Sequence, residues 1–307
     1  MALERRSVVC VIPATRTDML DEVVESVVSQ TVPPRDVIVV LDDPKLEWLP
    51  KRAGIRVLHS KRNEGKVSAT VAGCQAADGD LILSADDDTI LAPSCVEHLK
   101  LHLQDEILAV CARIEPIDTS TWIGRAREDM YRKSHTRPGL INGACFLMRK
   151  SSFEEFYASL TTMVEDQELT RILNKPYRRW MVCQEARVKT SEPNSLARLF
   201  HQLVRWGYGT RELDAKEKGG GYRTVITAGL LIPVVSVVES SARGLEEVVA
   251  AVIFWSFLLL VPITILQFRR YNSKGASTWR LAAYSFIEVV SLVVAAIRYA
   301  LHWKPKW

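Results

Sequence analysis

Two groups of aspartates follow short apolar stretches of this chain, in a pattern that suits a divalent metal ion. Asp42-Asp43 ends the run VIVVLDD, and Asp86-Asp87-Asp88 ends LILSADDD. On an extended chain, residues i and i+2 face the same way, so Asp86 and Asp88 can point together at one hard cation. Mg²⁺ takes one or two carboxylates and completes its shell with water and phosphate oxygens. A lone Asp after a strand is more often a cap or turn residue, but the repeated pattern favours a metal site at Asp86 and Asp88.

Two further motifs place polar side chains on predicted helices. Glu165 and Asp166 stand in TTMVEDQELTRIL, where the helix dipole would favour acids in any case. Gln202, Arg205 and Trp206 stand in HQLVRWGYGT at spacings i, i+3 and i+4, which puts an amide, a guanidinium and an indole on one helix face. The planar fork of arginine suits a diphosphate, and an exposed indole suits the apolar face of a sugar ring. The alternative is an ordinary amphipathic helix with Trp206 in the core.

Strand and helix signals alternate over the first 115 residues. β-branched runs that end in turn or polar residues predict strands at Val8–Ile12, Val37–Leu41, Ile55–His59, Leu81–Ala85 and Leu108–Arg113. Helices are predicted at Asp18–Gln30, Gly65–Ala77 and Pro93–Leu103. This alternation predicts an α/β fold with a mainly parallel twisted sheet that is covered on both faces. Ligands of such sheets bind at the carboxyl ends of the strands, where both aspartate groups lie.

The composition excludes several classes of protein. The 307-residue chain has 40 Lys and Arg against 36 Asp and Glu, and its 25% charged and 8% aromatic residues exclude a disordered chain. Basic residues are interspersed with acids, so we expect no nucleic-acid partner. The cysteines are Cys10, Cys74, Cys95, Cys111, Cys145 and Cys183. They are scattered, with no CxxC pair and no histidine at zinc-ligand spacing, which favours reduced thiols in a core.

Apolar residues concentrate after Thr224, which predicts a cytosolic domain over 1–222 and a membrane domain over 223–307. The apolar pieces are Val225–Val238, Val248–Phe268 and Leu281–Leu301. A span needs about 20 residues, so the middle piece qualifies, whereas the first is either a span or an interfacial or re-entrant segment. The last piece is also expected to span, although it contains Glu288 and Arg298, which are either functional, or snorkel or face a neighbouring helix.

Loop charges predict the orientation of these spans. Residues 239–247 carry mostly acids, whereas residues 269–280 carry basic residues and no acid, which places the second loop on the cytoplasmic side. The N-terminal MALERRSVVCVIP has no secretory signal. We therefore expect a multi-pass cell-membrane protein whose catalytic domain is cytoplasmic.

The order of the motifs resembles that of the family 2 glycosyltransferases of the processive synthase type, which include the hyaluronan, chitin and cellulose synthases. Asp-Asp, Asp-x-Asp, Glu-Asp and Gln-x-x-Arg-Trp occur in sequence, followed by apolar spans. VVCVIPATRTD is similar to that family's first strand and nucleotide loop, RNEGKVSATVAG to its lysine-containing diphosphate segment, and NGACFLMRK to its acceptor-side segment. The resemblance covers about residues 7–210, and it implies a nucleotide-sugar-binding domain of the GT-A type followed by C-terminal transmembrane helices.

The resemblance also implies a role for each motif residue. The residues that would bind the donor, a UDP-sugar, are Asp42, Asp43, Lys66, Asp86, Asp88, Gln202 and Arg205. Of these, Asp86 and Asp88 would also hold Mg²⁺ or Mn²⁺. Asp166, with Glu165 beside it, would be the general base that takes a proton from the acceptor hydroxyl. The residues that would line the acceptor site are Trp206, Gly143 and Cys145.

The implied activity is inverting transfer of a sugar from the UDP-sugar to a growing polysaccharide, with a β-linked product. The partners are then the donor, a carbohydrate or lipid acceptor and the lipid bilayer. A homo-oligomer is a further possible partner, because a monomer with three spans would form only a narrow channel for a polysaccharide. One alternative is a glycolipid synthase that adds one sugar to a lipid, as ceramide glucosyltransferases do, and the small number of spans favours it. Another is a membrane-tethered binding module with a degenerate site, against which the full set of acids counts.

Overall fold

The computed structural model describes residues 6–136, 139–216, 278–300 and 302. The chain divides into two compact units: the first unit consists of residues 1–120 and 131–192, and the second of residues 121–130 and 193–307. The boundary predicted after residue 222 falls outside the described residues. The boundary therefore stays a prediction, and the helix carrying Gln202 belongs to the second unit, whose longer part begins at residue 193.

The described residues form eight strands and eight α-helices. The strands are β1 Val8–Ala14, β2 Asp36–Leu41, β3 Ile55–His59, β4 Leu81–Ala85, β5 Thr89–Leu91, β6 Ala109–Pro116, β7 Cys145–Arg149 and β8 Trp180–Thr190. The helices are α1 Leu20–Val28, α2 Lys66–Ala76, α3 Cys95–His102, α4 Trp122–Thr136, α5 Lys150–Phe156, α6 Glu165–Leu173, α7 Leu196–Lys216 and α8 Thr278–Ala300, with a short 3-10 helix at Tyr157–Ser159. All five predicted strands and all three predicted helices are confirmed: β3 and β4 have the predicted bounds, and those of the other elements differ by a few residues.

The strands of the first unit form one sheet in the order β3-β2-β1-β4-β7-β6-β8-β5. The pairs among β1 to β4 are parallel, and so is β6 with β8. In contrast, β7 runs antiparallel to both β4 and β6, and the short β5 runs antiparallel to β8. The sheet is therefore mixed, with four parallel and three antiparallel strand pairs, and the prediction of a mainly parallel sheet is confirmed only in part. Alternating strand and helix signals reached only to residue 115, and β7 and β8 lie beyond them.

Hydrophobic cores lie on both faces of this sheet, as predicted. Successive side chains of a strand point to opposite faces, so Cys10 of β1 joins one core and Val11 joins the other. Helices α1 and α3 contribute to the first core, for example through Leu99, and helices α2 and α6 to the second, through Cys74 and Leu169. All six cysteines, each in a described segment, are buried and free, which agrees with the expectation of reduced thiols.

The second unit is built on α7 and α8 with the first part of α4. Its described core is formed by Ile123, Ala126, Leu199, Leu203 and Tyr284. Helices α7 and α8 approach closely at Gly207, where an added Cβ would lie 2.9 Å from the Cβ of Ala295. A larger side chain at Gly207 would therefore force the two helices apart.

No described helix has both the length and the apolar content of a membrane span. Helix α8 coincides with the third predicted span and carries Arg280, Glu288 and Arg298 within its 23 residues. The prediction of a span at Leu281–Leu301 is therefore not supported. The other two predicted spans, at 225–238 and 248–268, lie outside the described residues.

Candidate active site

A buried aspartate fixes the loop that leads into α2. Asp42 follows the last residue of β2 and is fully buried. Its two carboxylate oxygens accept the backbone N–H groups of Glu64 (3.1 Å) and Gly65 (2.7 Å). Gly65 has a φ of 90°, a conformation that glycine adopts without strain. Because Lys66 comes next and begins α2, Asp42 positions the lysine.

The Lys66 ammonium joins three segments that are far apart in the sequence. Its Nζ lies 2.7 Å from an oxygen of Asp86 and 2.8 Å from an oxygen of Glu165. It also donates a hydrogen bond of 2.9 Å to the carbonyl of Gly143. Burial acts to lower the pKa of Lys66, but Asp86 and Glu165 outweigh it and hold the pKa well above its usual value. Lys66 is therefore a permanent cation among carboxylates.

The three aspartates that follow β4 have different partners. Residues 87 and 88 form a turn, so the extended chain on which the pairing of Asp86 with Asp88 was predicted is absent. Asp87 is buried and accepts the backbone N–H groups of Thr15 (2.8 Å) and Arg16 (3.2 Å), which fixes the loop after β1. Asp88 pairs with the Arg16 guanidinium, and Asp86 pairs with Lys66 instead.

Asp86 and Asp88 nevertheless influence each other and suit a hard cation. Burial raises the pKa of Asp86 to about 7, with Lys66 opposing the rise and Asp88 adding to it. Burial likewise raises the pKa of Asp88 to about 6, against the effect of Arg16. A bound cation would stabilise the ionised forms of these two carboxylates, which burial disfavours. Their oxygens are the kind of ligand that Mg²⁺ or Mn²⁺ takes.

Two polar side chains hold the start of α6, and neither was predicted. Glu168 is buried and accepts the backbone N–H of Thr162 at 3.0 Å. The Thr170 hydroxyl accepts the N–H of Ile141 at 2.8 Å and donates to the carbonyl of Asp166 at 2.6 Å. These bonds tie the residues before β7 to the first turn of α6.

Asp166 is half-buried in that first turn. Its Oδ1 accepts the backbone N–H of Gln167 at 2.8 Å. Burial raises the pKa of Asp166 to about 7, the negative charge of Glu165 adds to the rise, and Lys66 opposes it. A general base works best when its pKa lies near the operating pH, so this environment suits Asp166 for proton transfer.

The acceptor-side segment divides into a residue beside the cluster and a residue in the core. An added Cβ at Gly143 would lie 3.2 Å from the Glu165 Oε1 and 3.3 Å from the Asp166 Cβ. Cys145, in contrast, is fully buried in β7, where it pairs with Ala85 of β4. The structure thus gives Cys145 a packing position instead of the predicted acceptor contact.

The Gln-x-x-Arg-Trp motif lies on α7 in the second unit. The side-chain oxygen of Gln202 accepts a hydrogen bond of 2.5 Å from Arg127, which is fully buried. The Arg127 guanidinium also lies 4.8 Å from the ring centre of Trp206 and 5.1 Å from that of Tyr284. Arg205 is half-buried on the same helix. Nothing in the sequence around Arg127 distinguishes it from other arginines. The ligand-binding roles of Gln202, Arg205 and Trp206 stay predictions.

The first unit thus brings together most of the predicted site residues that it contains. The cluster around Lys66, called the acidic cluster below, consists of Lys66, Asp86, Asp88, Gly143, Glu165 and Asp166. Asp42 lies outside the cluster and holds the loop before Lys66 through the N–H of Gly65. Asp43 is half-buried and accepts the N–H of Lys45 at 2.8 Å. Arg16 was missed, although a cation directly after the first strand lies at the same end of the sheet as the aspartates.

The fold of the chain has a counterpart among solved structures. The mixed α/β sheet, with carboxylates after β2 and β4, is a GT-A-like fold of nucleotide-sugar glycosyltransferases. Among solved structures, a mannosyltransferase of Pyrobaculum calidifontis in complex with GDP-Man and Mn²⁺ is similar, with a TM-score of 0.53 and 15% identity. The similarity covers 94% of this chain and 87% of that one, and at this identity it shows the fold alone.

The sequence comparisons are more specific. Residues 9–157 match the family described as glycosyl transferase family 2, which supports a domain of that family over this stretch. An N-acetylglucosaminyltransferase of Mesorhizobium japonicum is 29% identical over 48% of this chain and 40% of the relative. Another, of Bradyrhizobium diazoefficiens, is 26% identical over 67% of this chain and 48% of the relative. The chain thus spans about half or less of the length of these two relatives.

Proposed function

We propose that the protein is a metal-dependent, inverting glycosyltransferase that transfers a sugar from a UDP-sugar to a hydroxyl acceptor. One observation carries the proposal: the Lys66 ammonium contacts both Asp86 and Glu165, within 2.8 Å. This contact joins the DxD segment, the lysine-containing segment and the Glu-Asp segment in one cluster. The family match supports the same activity, because residues 9–157 include the first two of these segments.

The donor end of the cluster is suited to a charged diphosphate. Asp86 and Asp88 would hold Mg²⁺ or Mn²⁺, and a bound cation would offset the negative charge of the diphosphate. In the structure Arg16 pairs with Asp88 and Lys66 pairs with Asp86. Both cations could also bind a phosphate oxygen of the donor. Contacts of Gln202 and Arg205 with the donor, and of Trp206 with the acceptor, stay predictions from the sequence.

Asp166 is the better candidate for the general base than Glu165. The Glu165 carboxylate is engaged by Lys66 at 2.8 Å, whereas Asp166 has a pKa of about 7. In the proposed step, Asp166 takes the proton of the acceptor hydroxyl while the hydroxyl oxygen attacks the anomeric carbon of the donor sugar. The new C–O bond forms as the bond to the diphosphate breaks, and UDP leaves. A single displacement inverts the anomeric carbon, so an α-linked donor gives a β-linked product.

The names of the relatives support N-acetylglucosamine as the transferred sugar. The test is a comparison of UDP-N-acetylglucosamine, UDP-glucose and UDP-glucuronate with the full chain and Mn²⁺, measuring released UDP. We expect UDP-N-acetylglucosamine to be preferred and Asp88→Asn to abolish both donor binding and UDP release. Asp78→Asn is the matched control, because the Asp78 side chain is 92% exposed and should have no effect. If no UDP-sugar releases UDP, the protein is a binding module instead.

Two features of the proposal rest on the sequence. A growing β-linked polysaccharide is the proposed acceptor. The alternative is transfer of a single sugar to a lipid, which the small number of predicted membrane spans favours. Association with the cell membrane is proposed from the apolar pieces 225–238 and 248–268, which lie outside the described part of the chain. Product length on a gel after incubation with labelled donor decides between polymer and single sugar. Flotation of the full chain with liposomes tests the membrane association.

A further inference from the structure

A second cluster of metal-ligating side chains, with no residue of the acidic cluster, lies where α3 ends beside β8. It consists of His102, the last residue of α3, and of Cys183 and Glu185 on β8, whose ligand atoms lie within 4.8 Å of one another. The Cys183 sulfur lies 3.5 Å from the Nδ1 of His102 and 3.4 Å from the Oε2 of Glu185. We call these residues the thiol cluster.

An irregularity of the sheet belongs to this cluster. Cys183 of β8 pairs with Ala112 of β6, but the next residue of β6, Arg113, pairs with Arg187. Residues 184–186 are therefore extra on β8, as in an extended β-bulge. Bulges redirect side chains, and here the bulge contains Glu185, whose carboxylate accepts from the Cys183 thiol.

A second histidine lies one helical turn before His102. His98 and His102 are four residues apart on α3, so their side chains share one face. The carbonyl of His98 accepts from the His102 Nδ1 at 2.9 Å and from the Cys183 sulfur at 3.9 Å. Both imidazoles also interact electrostatically with the Glu185 carboxylate. The ligand atoms that converge are those of His102, Cys183 and Glu185, so the His98 imidazole would have to turn toward them to supply a fourth ligand.

We propose that the thiol cluster binds a zinc ion, with His102, Cys183 and Glu185 as ligands and His98 as the fourth. In tetrahedral zinc sites the bonds are about 2.0–2.3 Å long, so the ligand atoms lie about 3.3–3.8 Å apart. The separations of 3.5 and 3.4 Å around the Cys183 sulfur fall in this range, whereas the ligand atoms of His102 and Glu185, which lie within 4.8 Å of each other, would have to come closer around the ion. Sulfur and imidazole ligands favour zinc, whereas Mg²⁺ and Mn²⁺ prefer the oxygen atoms of the acidic cluster.

Binding needs two proton movements. The Cys183 thiol loses its proton to solvent as the Zn–S bond forms. The His102 Nδ1, which now donates to the His98 carbonyl, must offer its lone pair, so the imidazole proton moves to Nε2. The bound ion would connect α3 to β8, and β8 in turn pairs with β5, which directly follows the Asp86–Asp88 turn. The site is therefore a structural one that braces the first unit.

The experiment titrates metal into the full chain after removal of bound metal by a chelator. We expect about one tightly bound Zn²⁺ per chain and a rise of several degrees in the melting temperature. Co²⁺ in its place should give the charge-transfer absorption of a thiolate–cobalt bond. Cys183→Ser and His102→Ala should lose both signals, while Cys74→Ser and His59→Ala, a cysteine and a histidine outside the cluster, should keep them.

A milder variant keeps the test valid if the buried Cys183 cannot be replaced. Glu185 is exposed, so Glu185→Gln should fold normally and weaken zinc binding by about tenfold or more. Asp88→Asn should leave zinc binding unchanged, which separates this proposal from the proposed transferase activity. A wild-type chain that binds no zinc tightly, or a Cys183→Ser variant with the unaltered cobalt spectrum, would overturn the proposal.

Discussion

The acidic cluster of the first unit and the Gln-x-x-Arg-Trp helix of the second differ in how their residues are held. The members of the acidic cluster stand at the ends of elements: Asp86 follows β4, Lys66 begins α2 and Glu165 begins α6. They contact one another directly through ion pairs. Gln202 and Trp206 lie in the middle of α7, and both contact the buried Arg127. The first region is assembled by sheet topology, whereas the second depends on local helix packing.

This difference predicts that substitution in the acidic cluster affects chemistry far more than stability. Asp166→Asn removes the proposed base while keeping the shape of the side chain, so we expect kcat to fall by about 10²–10⁴-fold. The Kd for the UDP-sugar should stay within about twofold. Single-turnover kinetics and donor titration measure the two effects separately. Turnover at the wild-type rate would exclude Asp166 as the base.

Glu165→Gln sharpens the same comparison. This variant breaks the ion pair with Lys66, so it should weaken donor binding as well as turnover. If Asp166→Asn and Glu165→Gln gave identical losses in kcat and Kd, the separate roles of the two acids would be wrong.

Substitution in the second unit should chiefly affect stability. Trp206 is half-buried, packs against the core of α4, α7 and α8, and lies under the Arg127 guanidinium. Trp206→Ala should therefore lower the free energy of unfolding by about 2 kcal/mol, less than for a fully buried indole. Chemical denaturation measures this loss. Trp206→Phe should restore about half of it, since the ring face is kept.

The acceptor role predicted for Trp206 can be measured with the same variants. If Trp206→Ala raises KM for the acceptor but leaves stability unchanged, the ring serves the ligand and the packing interpretation is wrong.

The elements that position the acidic cluster could be predicted because each has a strong local signal. The bounds of β3 and β4 were predicted without error, since β-branched runs end there in polar residues. The directions of β7 and β8 could not be predicted, because a strand's own residues do not specify its neighbour. Every antiparallel pair of the described sheet involves β7 or β8, so the mixed sheet follows from those two strands.

The site itself was predictable to a similar degree. The acids of the cluster and Lys66 occur in recognisable segments, but the partners that hold them do not. Arg127 contacts Gln202 across 75 residues of sequence, and His102 contacts Cys183 across 81. Such pairs have no spacing that a sequence pattern can express, which is why no zinc-ligand spacing in the sequence indicated the thiol cluster.

The pH dependence should distinguish chemistry from stability within the first unit. The base must be ionised, so kcat/KM should rise about tenfold per pH unit up to about pH 7, the pKa of Asp166, and then level off. This pKa lies above its usual value of about 3.9, so ionisation costs the folded state more than the unfolded one. The stabilising contribution of protonated Asp166 is complete below about pH 4 and is lost as the pH rises through about 7.

Activity and stability should thus change in opposite directions over the same pH range. Denaturation at about pH 5 and about pH 8 should show a smaller difference for Asp166→Asn than for the wild type. An equal difference would assign the effect to other groups, such as Asp86.

The smallest expected effect tests how closely the acidic cluster is packed. In Gly143→Ala the added methyl would lie 3.2 Å from the Glu165 Oε1 and 3.4 Å from the Lys66 Nζ, so these groups must move by a few tenths of an ångström. Misplacement of about 1 Å can cost about 10²-fold in rate, so we expect a loss of less than about tenfold in kcat/KM. Gly139→Ala is the matched control, because its methyl would meet nothing within 4 Å. Equal kinetics for both variants would mean that the cluster tolerates displacement and that its contacts do not position the reacting groups.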